Sequence, residues 1–62
     1  MKQYRELYNI FNLCYDLNTD QDVFFLMTVE DEIKTYEAAL KWLEEHGDSG
    51  ERYMIEKTYL IL

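Results

Sequence analysis

The chain has 62 residues, a size that allows one domain and leaves stability marginal, since so short a chain buries only about 60% of its unfolded surface. Thirteen acids stand against six bases, and the net charge of −7 disfavours DNA, RNA and anionic lipid as direct partners and favours basic protein surfaces. One cysteine excludes an internal disulfide, and one cysteine with one histidine cannot furnish a four-ligand zinc site.

The first segment, Tyr4 to Leu17, admits two readings. As a helix it aligns Tyr4, Leu7, Tyr8, Phe11, Cys14 and Tyr15. As a strand it uses its Tyr, Ile and Phe content. Asn9, Asn12 and Asn18 disfavour the helix, so strand is preferred. Cys14 has apolar neighbours and Asp16 beside it, with no positive charge to depress a thiol, which favours a small buried hydrophobe over a nucleophile.

Asp16, Asn18, Asp20 and Asp22 match the odd positions of a calcium loop. The match then fails, because Gln21 stands where glycine is needed and Met27 where the closing glutamate is needed. An acidic turn between two apolar segments is the better reading. Val23 to Val29 follows as a second strand, and its unbroken apolar run suggests cover on both faces.

Glu37 to His46 consists mostly of strong helix formers. Tyr36, Ala39, Leu40 and Leu43 form its apolar stripe, and Glu37 and Lys41 stand in the favourable i,i+4 order. Thr35 is the preferred N-cap. Thr28 is the alternative, with Glu30 and Asp31 in the first turn and the stripe extended through Val29 and Ile33. Gly47 is expected to end the helix in the left-handed conformation. His46 is then a cation at the helix C-terminus, which the helix dipole favours, rather than a general base.

Gly47-Asp48-Ser49-Gly50 reads as a turn, since it lacks the lysine and following helix of a phosphate loop. From Arg52 to Leu62 the period is two. Tyr53, Ile55, Tyr59 and Ile61 share one face, and Met54, Glu56, Thr58, Leu60 and Leu62 share the other. The apolar end on both faces suggests a central strand or a partner contact. The fold expected is α+β, a small antiparallel sheet of about three strands packed on one helix in the order ββαβ, with αβαβ as runner-up.

The acids are clustered. No Lys or Arg occurs between Arg5 and Lys34, and a second bare cluster runs from Glu44 to Glu51. Glu30, Asp31, Glu32, Glu37, Glu44, Glu45, Asp48 and Glu51 are the candidate partner-binding residues: carboxylates along a helix and its adjoining loops can imitate a row of phosphates. The plainer alternative is a solvated surface that keeps the chain soluble. Six tyrosines among the aromatics also suit a protein interface, whereas base stacking would need a basic groove that scattered cations do not supply.

In size, acidity and tyrosine content the chain resembles small phage or mobile-element proteins that block host defence machinery, among them anti-restriction and anti-CRISPR inhibitors. The resemblance is of general character over the whole chain, rests on no motif and carries no residue roles. It implies a non-catalytic protein that blocks the basic surface of a nucleic-acid-handling partner. A self-associating structural or accessory module is the alternative, with Val23–Val29 and Leu60–Leu62 buried against a second copy as a homodimer. No catalytic set is legible, and no cofactor or metal is expected. A cytoplasmic location is expected, because no signal-peptide pattern or bilayer-length apolar run occurs.

Overall fold

A computed structural model describes residues 3–62; Lys2, one of the six bases, lies outside them. The element order is β1 (Tyr4–Asp16), β2 (Gln21–Leu26), α1 (Tyr36–His46) and β3 (Arg52–Ile61), the ββαβ arrangement expected. The three strands form one antiparallel sheet ordered β2-β1-β3. The first segment is therefore a strand, and it is the central one. Thirteen residues at about 3.3 Å each extend roughly 43 Å, which sets the long axis of a body measuring 46 × 27 × 16 Å.

The sheet is staggered. β3 pairs with Tyr4 to Leu13 of β1, and β2 pairs with Phe11 to Asp16, so only Phe11, Asn12 and Leu13 have a strand on both sides. The acidic segment after β1 forms the hairpin turn. Asp16 Oδ1 accepts from Asn18 N at 2.9 Å, and Asp20 takes a left-handed φ of 57°, a conformation that Asp tolerates better than most residues.

β2 stops at Leu26, three residues short of the expected Val29. The chain leaves the ladder because a side chain takes over the pairing. Met27 N donates to Ile10 O at 2.8 Å, and Ile10 N donates to the Thr28 hydroxyl at 3.2 Å. Thr28 is buried in that role and is not a helix cap. The chain then runs beside β1, where Tyr8 N donates to Ile33 O, and carries Ile33 into the core.

Thr35 is the N-cap, as preferred. It has extended backbone, and its hydroxyl accepts from Ala38 N at 3.1 Å. Thr35→Ala should lower stability by about 1 kcal/mol, read as a lower urea midpoint, while Thr35→Ser keeps most of it. The buried side of α1 is rotated from the expected stripe. Ala39 is fully buried and Trp42 and Leu43 are half-buried, but Tyr36 and Leu40 are exposed. Trp42 displaces them because its indole reaches Asp31 Oδ2 at 3.2 Å, which ties α1 to the preceding loop. The expected Glu37–Lys41 pair is not among the described ion pairs, which are Arg5–Glu32, Arg52–Asp22 and Lys57–Glu6.

Gly47 corrects a second expectation. Its backbone is extended (φ −78°, ψ 151°), not left-handed, and its N–H donates to Leu43 O at 2.7 Å. Glycine is required there by crowding, since a Cβ would sit 2.6 Å from the Leu43 carbonyl oxygen. The positive φ belongs to Gly50, at 90°. Between them Asp48 N donates to the Tyr53 hydroxyl at 2.8 Å, fastening the helix end to β3.

Ile10, Ile33 and Ala39 form the buried core, with Tyr8, Trp42, Leu43, Tyr53 and Ile55 packed around it. Tyr53 and Ile55 share one of the two β3 faces set by the period-two pattern, and it is this face that meets the helix. β2 and β3 are both edge strands, so of the two readings of the apolar end of β3 the central strand is corrected and a partner contact is left, and exposure on both faces of β2 corrects the expectation of cover on both faces. Phe24, Phe25, Leu26, Leu60 and Ile61 are all exposed.

Candidate functional site

Strand register assigns every sheet residue to one of two faces. Ile10, paired with Ile55, lies under α1, so Asn12, Cys14, Val23 and Phe25 share the helix side. Leu7, Phe11, Leu13, Tyr15, Phe24, Leu26, Met54 and Leu60 share the opposite side. All eight of these are half-buried or exposed, and neither the helix nor the core cluster lies over them. The molecule is thus two-sided.

The helix side is the acidic one, and all eight candidate carboxylates are exposed. At 100° per residue, Glu37 and Glu44 point away from Ala39, Trp42 and Leu43, with Lys41 between them and Glu45, which flanks Trp42. Glu30, Asp31 and Glu32 lie in the loop before α1, and Asp48 and Glu51 in the turn after it. Asp31, Glu32 and Glu45 are brought together around an open groove of about 510 Å³ whose lining also includes Lys34, Lys41 and Trp42.

Three of the eight carboxylates are engaged within the molecule. Asp31 accepts from the Trp42 indole, Glu32 pairs with Arg5 at 2.6 Å, and Glu51 accepts from Asn12 Nδ2 at 3.4 Å. Glu30, Glu37, Glu44, Glu45 and Asp48 have no side-chain partner among the described contacts. Lys34 and Lys41 interrupt the row of negative charge, which is therefore a mixed rather than a purely anionic surface.

The remaining singled-out residues have structural surroundings. His46 occupies the last turn of α1, its ring 4.7 Å from that of Trp42. Cys14 is half-buried rather than buried, and its thiol donates to Asn12 Oδ1 at 2.6 Å. It borders an open hollow of about 310 Å³ lined also by Tyr15, Asp16, Val23 and Phe25. Near the far end of the sheet, Tyr4 and Tyr59 meet edge to face at 5.3 Å, and Lys57 pairs with Glu6. The hydrogen bond from Lys57 to Glu6, reinforced by the charge of Glu6, holds the ammonium above the ordinary lysine value. Because that pKa is raised, the lysine's share of the pairing is present at neutral pH and is lost as pH climbs through the raised value.

Sequence reading placed apolar surface at Val23–Val29 and Leu60–Leu62 but missed that the central strand continues it into one bare face. Its signal was present in the period-two pattern, since Leu7, Phe11, Leu13 and Tyr15 alternate along β1. Comparison with protein families, with curated proteins and with solved structures finds no match for this chain. No helix among the described residues is long and apolar enough to cross a membrane.

Proposed function

We propose that this chain is a small, acidic, non-catalytic interaction protein that covers the basic surface of a nucleic-acid-handling protein. Its general character suits an inhibitor of host defence of the anti-restriction or anti-CRISPR kind. The observation that carries this reading is the gathering of unpaired carboxylates onto the layer formed by α1 and its flanking loops. Glu37, Glu44, Glu45 and Asp48 are free to meet arginine and lysine, and a rigid helix holds the first three. Lys34 and Lys41 fit the same reading as discriminating elements, since they repel a partner whose cations are placed wrongly.

The test is functional. Cells carrying a restriction system or an RNA-guided nuclease should plate phage more efficiently when they express the chain. The combined variant Glu44→Gln, Glu45→Gln, Asp48→Asn, Glu51→Gln should lose that effect while keeping the native circular dichroism spectrum. Binding of the purified nuclease should also weaken at least about tenfold between physiological ionic strength and 0.5 M salt, because exposed charges are screened within about 8 Å. Unchanged plating against both kinds of defence, or salt-insensitive binding, overturns the proposal.

A further inference from the structure

We infer that the bare sheet face is the seat of a second copy of this chain, so that two sheets pack face to face with both helices outward. The first ground is area. A folded monomer of 7.6 kDa should expose about 4300 Å², whereas this chain exposes 5133 Å². The excess of roughly 800 Å² is what each partner buries in a standard interface. The radius of gyration agrees. It is 13.6 Å, against about 10.6 Å for a compact chain of this length. A second layer on the naked side would supply the thickness that is missing.

Charge is the second ground, and it selects the occupant. Arg5 on this face pairs with Glu32 and Arg52 with Asp22, which leaves Glu56, so the face carries little net charge although the chain is −7. Arg52 and Asp22 are already paired at 3.3 Å. A basic partner would find little attraction on this side. A second acidic copy would meet little repulsion across it, and most carboxylates of the two helix layers would stand on opposite outer surfaces. Sheets stacked in this way lie about 10 Å apart, which interdigitated Leu, Phe, Met and Tyr side chains fill. The inference does not depend on the identity of the basic partner.

Two adjacent phenylalanines make the test. Phe24 and Phe25 are almost equally exposed, at 53% and 55%, but face opposite sides of the sheet. Sedimentation equilibrium of the native chain should give twice the 7.6 kDa mass. Phe24→Lys should return the monomer mass or abolish folding, and Phe25→Lys should leave the dimer intact. So that the inference does not rest on the folding of Phe24→Lys, the native chain supplies a second readout. Its urea midpoint should rise when concentration is raised about a hundredfold, as coupled dimerisation and folding require. Association should survive about 0.5 M salt, since the contact is apolar and carries little net charge; binding to a basic partner should not, so the two readings fail separately. A concentration-independent monomer overturns the inference, and so does a dimer that tolerates Phe24→Lys but not Phe25→Lys.

Discussion

Ile10→Ala should unfold a large fraction of the protein at room temperature. Ile10 is fully buried, and with Ile33 and Ala39 it makes up the fully enclosed core. Removing three carbons there costs about 2–5 kcal/mol, the sum of lost transfer energy and the cavity left behind. A domain of this length holds only about 3–9 kcal/mol in total. Few neighbours can collapse into the space, because α1 meets the sheet chiefly through Ala39, Trp42 and Leu43. Urea denaturation followed by circular dichroism checks this. The exposed Val29→Ala should stay within about 0.5 kcal/mol of the native chain. An unmoved midpoint for Ile10→Ala would mean that the core lies elsewhere.

Thr28→Val should cost about 1–3 kcal/mol although it preserves shape. The Thr28 hydroxyl accepts from Ile10 N where β2 has already left the sheet. Valine puts a methyl group there and leaves a backbone N–H buried without a partner. Hydrogen exchange gives the specific readout: the Ile10 amide should exchange faster in Thr28→Val and nearly normally in Thr28→Ser. An Ile10 amide as well protected in Thr28→Val as in the native chain would overturn the assignment.

These two residues also show what could be read in the sequence. The strand character of β1 was legible because its asparagines disfavour a helix while Ile10, Phe11 and the tyrosines suit a sheet. The cap at Thr35 and the ββαβ order were legible for similarly local reasons. Thr28 was not, because its role is to replace a strand that has just ended, and only the path of the chain beside β1 creates that vacancy. Val23 to Leu26 looked doubly covered because apolar residues on both faces ordinarily mean two covering layers. Alternation reveals which residues share a side; it does not reveal whether anything lies over that side. Among the candidate carboxylates, exposure was legible from charge alone. The meeting of Asp31 and Glu32 with Glu45 was not, since it depends on the contact of Ile33 with Tyr8.

The stagger of the strands means that the fold has a strong end and a weak one. Beyond Leu13 the β1–β2 hairpin loses the company of β3, and its turn lies away from the Ile10 cluster. Fraying that starts at Asp16 and Gln21 can break the pairs back to Cys14 and Val23 without touching Ile10, Ile33 or Ala39. Thermal loosening should therefore travel inward from that tip, and the acidic helix layer would keep its shape until the last three shared pairings give way.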